Sequence, residues 1–210
     1  MPVCLSLALF LPQAWEFATP LLLLRFSPDG GLVAPTVFGL VVFVLKFLIG
    51  PAAGLWMDRT PRLRVIRQGL ALQAAGVCCA LGVYGMLCWT KRDGVPSALP
   101  WTLIGAMVCC GVVEALGALI SSVAVKKDWV PTIWPPTDRH LSSINAAMAN
   151  IDLIAEIVGP LCAGYALQYL GDGGGFLLVG LVNVLTFGVE LWLLLSVYSA
   201  WPQRIEQTGG

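Results

Sequence analysis

The sequence predicts an all-α integral membrane protein with six transmembrane spans, and three observations carry that expectation. Mean hydropathy is +0.83, 58% of residues are hydrophobic and only 11% are charged. A soluble domain carries roughly a quarter charged residues. Six stretches each supply the ~20 mostly apolar residues that a helix needs to cross a bilayer. The cations, finally, are shared unevenly among the links between those stretches.

The spans are placed at about 4–25, 32–56, 65–89, 101–125, 142–170 and 174–198. The first is not a signal peptide, since it lacks a basic start and carries Trp15, Glu16 and Phe17 where small residues would precede a cleavage site. Leu21–Leu24 extend it far enough to span. The second and third are joined by Gly54-Leu-Trp-Met-Asp58-Arg59-Thr-Pro-Arg62-Leu-Arg64, a charged hairpin that has to stay in water while its flanks enter lipid. Gly/Pro/Asp-rich links follow the first span (Ser27–Gly31) and the third (Lys91–Pro96). Between the fourth and fifth spans, Lys126–Arg139 mixes charge with Pro, Trp129 and Trp134, a composition suited to the headgroup layer. Ser142 or Ser143 is placed to cap the fifth span.

Orientation follows from the cations. With both termini inside, Arg59, Arg62, Arg64, Arg67, Lys126, Lys127, Arg139 and Arg204 face the cytoplasm. Arg25, Lys91 and Arg92 face the other side, and Lys46 lies within the second span. The expected topology is N-in and C-in, with a short cytoplasmic tail at 201–210.

Composition also excludes classes. Net charge is zero, which argues against nucleic acid as a partner. The seven cysteines sit mostly in apolar runs, with Cys78-Cys79 and Cys109-Cys110 adjacent and no CxxC spacing, so they read as small hydrophobes. The single histidine, His140, cannot build a zinc site alone. No nucleophile–base set, phosphate loop or ligand cluster supports an enzyme.

The hairpin spacing Gly-x-x-x-Asp-Arg-x-x-Arg-x-Arg resembles the loop between the second and third helices of major-facilitator transporters. Four elements narrow the resemblance to the N-terminal lobe of ferroportin, the iron exporter of solute carrier family 40, including its plant and algal relatives. They are Ala14-Trp15-Glu16-Phe17-Ala18, the hairpin from Gly54 to Leu63, Lys127-Asp128-Trp129-Val130, and Leu141–Pro160 with Asn145-Ala146, Ile151-Asp152 and Gly159-Pro160. The resemblance implies a six-helix major-facilitator lobe that exports ferrous iron or a related divalent metal by alternating access. It also implies a second lobe, absent from this chain. The sequence is then a fragment, a truncated gene model or a half-transporter that must pair. The family occupies plasma membrane, vacuole and plastid envelope, and no targeting segment separates these.

Ionisable side chains within a bilayer are costly and usually face a cavity or a partner; here they are Glu16, Lys46, Glu114, Asp152, Glu156 and Glu190. By resemblance Glu16 stands at a family metal ligand, the other reading being a buried, paired acid. The family aspartate four residues earlier falls on Pro12. Gln73, Asn183 and Glu190 resemble a polar cluster that binds calcium in animal members, against the reading of hydrogen-bonded helix contacts. Asn183 and Glu190 are seven residues apart, two turns along one helix face. Gly54, Asp58, Arg62, Asp128, Asn145 and Asp152 resemble the cytoplasmic gate, with Arg62 and Asp128 able to pair, against the reading of solvated loop charge. The family arginine before Ile151-Asp152 is replaced by Ala149-Asn150, so Asp152 needs another partner. Asp152 and Glu156 share a helix face and would repel unless a cation, Lys46 or Arg62, intervenes. Two further readings remain: a half-protein that scaffolds or regulates a full-length relative, and a major-facilitator transporter of an organic solute.

Overall fold

The apolar runs form helices throughout the computed structural model, which describes residues 2–27, 31–93, 98–129 and 140–200. In order they are α1 (Pro2–Phe26), α2 (Val33–Asp58), α3 (Arg62–Asp93), α4 (Ala98–Val123), a π-helical turn (Ala124–Trp129) and α5 (His140–Ala200). Among the described residues, Val33–Asp58, Arg62–Trp89, Trp101–Lys126 and Ser142–Ser196 are long and apolar enough to cross a membrane. In lipid a helix satisfies every backbone group within itself, which is why such runs take this form.

The six separate helices expected from the sequence are not seen as such. The expected fifth and sixth spans lie within α5, a helix of 61 residues interrupted at Gly171, where φ is 72° and ψ is 165°. That backbone geometry is essentially restricted to glycine. It reverses the chain: a Cβ on Gly175 would lie 2.5 Å from the Cα of Leu167. Eight residues of straight helix would separate those positions by ~12 Å. The break falls in the link between the fifth and sixth expected spans, 142–170 and 174–198, and divides α5 into two antiparallel arms.

Each helix buries one stripe. On α1 the stripe is Ala14, Trp15, Ala18, Leu22 and Leu23, a spacing of three and four residues that follows the helical repeat. Trp15 packs on Phe176 of the second α5 arm with ring centroids 4.8 Å apart, and Phe176 packs on Tyr84 of α3 at 5.1 Å. These rings join α1, α3 and α5. The opposite faces point outward, with Phe43 and Phe47 of α2 and Leu185 and Trp192 of α5 among the exposed apolar side chains. In a soluble protein such a surface would aggregate; in a bilayer it is the solvated one.

Helices α3 and α4 meet backbone to backbone. A Cβ added to Gly117 would meet the Gln73 backbone nitrogen at 2.5 Å and the Gly69 carbonyl at 2.7 Å, and one added to Gly76 would meet the Glu114 nitrogen at 2.6 Å. Small residues at these crossings let the two backbones touch. That approach sets Gln73 and Glu114 side by side in the interior.

The segment 130–139, with Trp134 and Arg139, and the tail 201–210 lie outside the described residues, as does the side chain of Asp128.

Candidate ion-binding cavity

All the helices contribute to one cavity of about 310 Å³. Pro12, Gln13 and Glu16 line it from α1, Lys46 from α2, and Leu70 and Gln73 from α3. Ser121 and Ser122 come from α4, Lys126 from the π-helical turn, and Asp152, Glu156, Glu190 and Leu194 from the two arms of α5. Helix direction alternates along the chain, so the π-helical turn that ends α4 lies at the same end of the bundle as the Asp58–Arg62 hairpin. Lys126 and Asp152 stand toward that end of the cavity.

The charged groups are arranged in pairs and singly. Lys46 Nζ donates to Glu16 Oε1 at 2.6 Å, linking α2 to α1. Lys126 Nζ donates to both oxygens of Asp152, at 3.0 and 2.8 Å. Both pairs are about two-thirds buried. Glu156 and Glu190 line the same cavity and make no ion pair among the described residues. Four lining carboxylates therefore face two lysines, a formal excess of negative charge that attracts cations.

Behind the lining, Glu114 is 1% exposed and accepts a long hydrogen bond from Gln73 Nε2 at 3.5 Å. Gln73 itself is 2% exposed. Asn183 and Glu190 lie on the buried stripe of the second α5 arm, on one face as their seven-residue spacing requires. Asn183 is fully buried and Glu190 reaches the cavity. Carboxylate and amide oxygens together are the donor set that hard divalent cations prefer. Among the described residues, no three His, Cys, Asp or Glu side chains converge closely enough to make a closed metal site. The cavity is an open, acidic chamber with carboxylates from α1 and from both arms of α5.

The sequence and the fold have counterparts among known proteins. A sequence profile of the family Ferroportin1 (FPN1) matches residues 3–208. The chain belongs to the ferroportin family. Relatives include ferreportin of Bdellovibrio bacteriovorus, 32% identical over 189 residues that cover 88% of this chain and 42% of that protein. Solute carrier family 40 member 1 of rice (Oryza sativa) is 27% identical, covering 92% of this chain and 40% of the relative. Human ferroportin is 23% identical, covering 97% of this chain and 36% of the relative. Crystal structures of a bacterial homologue of the iron transporter ferroportin superpose with a TM-score of 0.81 in the outward-facing state (32% identity, 94% of this chain and 48% of that one). The inward-facing state gives 0.81 as well (30% identity, 98% and 51%). A third structure of that homologue, outward-facing and soaked with iron, is similar at 0.80.

The chain thus spans 36–42% of the length of the full-length relatives named above. Membership of the ferroportin family makes it a multi-pass integral membrane protein of a transporter family, which is not an enzyme family. The all-α fold matches the bacterial ferroportin structures.

The structure brings together some of the residues singled out from the sequence and separates others. Glu16, Gln73 and Glu190 share the cavity wall, and Asn183 lies in the adjoining interior. Asp152 does so too, in contact with Lys126 rather than Lys46 or Arg62. Asp58 and Asn145 are exposed and Arg62 is half-buried. Among the described residues, a Cβ on Gly54 would meet nothing within 4 Å, so none of them closes on it. Sequence reasoning offered Lys46 only as a cation for Asp152 and Glu156, gave Glu114 no role, and used Lys126 for topology and the headgroup-layer segment. The available signal was each residue's charge within or beside an apolar run; the partner was not legible, because pairing depends on how neighbouring helices are rotated.

Proposed function

We propose that this chain is the N-terminal six-span lobe of a ferroportin-type exporter of ferrous iron or a related divalent cation. In this reading the two arms of α5 serve as the fifth and sixth spans, both termini face the cytoplasm, and a second lobe completes the substrate path. The observation that carries it is the convergence of Glu16, Gln73 and Glu190, from three elements, on one acidic cavity within the ferroportin fold. The iron-soaked structure of the bacterial homologue supports iron as the cargo.

Glu16 is the cargo ligand in this assignment. Gln73, Asn183 and Glu190 supply amide and carboxylate oxygens that suit the cargo or a calcium ion. Pro12 lines the same cavity without a side-chain donor, so the ligand set is thinner than the family's and calls for donors from the second lobe. Gly54, Asp58, Arg62, Asp128, Asn145 and Asp152 form the cytoplasmic gate. Ion pairs among them are favourable only when the helices are drawn together, which biases the equilibrium between open and closed forms. Lys126 takes the place of the family arginine as the partner of Asp152.

The test is radio-iron efflux from cells expressing the complete protein, comparing wild type with Glu16→Ala at matched surface abundance. The substitution is expected to slow efflux at least roughly tenfold, because a single charged ligand is worth ~1.4 kcal/mol or more. Unchanged efflux removes Glu16 from the mechanism. Absence of metal-dependent flux from the wild-type protein overturns the metal-export reading itself.

A further inference from the structure

Lys46 is the only charged residue of α2 before Asp58. It lies 12 residues from Asp58 and 13 from Val33, which at the helical rise places it roughly 18–20 Å from either end of the helix. A lysine stem reaches only a few ångströms, so its ammonium cannot snorkel to a headgroup layer. A charge at that depth needs a partner inside the protein. The helical repeat directs it inward: Ala34, Phe38 and Val42 precede it at four-residue steps on the core-facing stripe, while Phe43 and Phe47 face outward. The partner is Glu16, at 2.6 Å, a separation at the short end for a charge-assisted hydrogen bond. Both side chains line the cavity.

We infer that the Lys46 ammonium is a tethered counter-cation on Glu16 that a divalent metal must displace to bind there. The inference rests on Glu16 being a cargo ligand, as proposed above. A metal on the Glu16 carboxylate would stand within ~4 Å of the ammonium, where repulsion between the two is strong in a partly dehydrated site. The two cations cannot share the carboxylate, so they exchange. A divalent ion gains more from the carboxylate than an ammonium does, and the exchange can run forward. The same lysine, by returning, expels the metal and avoids leaving an unpaired carboxylate behind, which would be costly in that setting. Glu156 and Glu190 line the same cavity without ion pairs among the described residues, and they offer the displaced ammonium a second seat. Lys46 is therefore a positioning residue that sets metal affinity and release; it is not itself a ligand.

The experiment uses the complete protein in nanodiscs and Co2+ as the probe, with binding measured by titration calorimetry. Wild type, Lys46→Met, Glu16→Gln and the double variant are compared. Lys46→Met is expected to bind Co2+ at least about tenfold more tightly than wild type, with slower efflux at saturating metal, and the gain should vanish in the double variant. If Lys46→Met binds no more tightly while Glu16→Gln weakens binding, Glu16 stands as a ligand and the displacement inference is overturned. If Glu16→Gln leaves Co2+ affinity unchanged, the assignment of Glu16 falls and the inference with it. Should Lys46→Met fail to give monodisperse protein, Lys46→Arg decides. A guanidinium grips a carboxylate through two parallel bonds, so it should weaken Co2+ binding several-fold; unchanged or tighter binding overturns the inference.

Discussion

Substituting Gly117 with alanine adds one methyl group where α3 and α4 touch, and the structure sets its cost. The new Cβ would lie 2.5 Å from the Gln73 nitrogen and 2.7 Å from the Gly69 carbonyl, both backbone atoms that cannot rotate away. Reaching an ordinary 3.4 Å contact requires the helices to part by about 0.9 Å, and overpacking of this kind costs ~1–3 kcal/mol. The same movement would open the Gln73–Glu114 hydrogen bond, already 3.5 Å long, and add ~1 kcal/mol for buried polar groups left without each other. The total, on the order of 2–4 kcal/mol, is a large share of the stability of a typical domain. Gly82→Ala, on the facing helix α3, is the control, because a Cβ there meets nothing within 4 Å. Alanine there should be neutral or stabilising by up to ~1 kcal/mol through helix propensity alone. Thermal unfolding of the detergent-solubilised protein, followed by tryptophan fluorescence, should give Gly117→Ala a Tm several degrees below wild type and Gly82→Ala a Tm at or above it. Equal Tm values for the two variants would refute the backbone-to-backbone contact between α3 and α4.

Two other experiments probe the hinge and the charged end of the cavity. Gly171→Ala places a Cβ in open space but on a backbone with φ 72°, so strain alone should cost ~1–3 kcal/mol; a Tm equal to wild type would show that the chain reversal does not depend on that geometry. Exchanging the charges of the Lys126–Asp152 pair tests its part in gating: Lys126→Asp or Asp152→Lys alone should slow efflux, and the double exchange should recover much of it. A pair about one-third exposed is worth ~1 kcal/mol or less after solvent screening, so the single changes should alter the conformer ratio by up to roughly fivefold. Additive losses in the double variant would show that the two side chains act separately.

Composition and hydropathy determined that this is a multi-pass, all-α membrane protein, because apolar length and the lack of charge act over whole segments and need no neighbours to be legible. The motifs around Trp15-Glu16, Gly54–Leu63, Asp128 and Asn145–Asp152 determined the ferroportin resemblance, and the seven-residue spacing of Asn183 and Glu190 placed both on one buried face. Only the tertiary structure decided which charges meet. From the sequence Lys46 was a candidate partner of Asp152 and Glu156, but the packing of α1 and α2 turns it onto Glu16. Asp152 lacked the family arginine until the π-helical turn brought Lys126 to it. Gln73 and Glu114 meet because glycines at the α3–α4 crossing let two backbones approach. The physical reason is common to all three cases. A helix's own sequence fixes which side chains share a face, but the rotation and distance of the neighbouring helix, set by side chains far away in the chain, determine what that face meets.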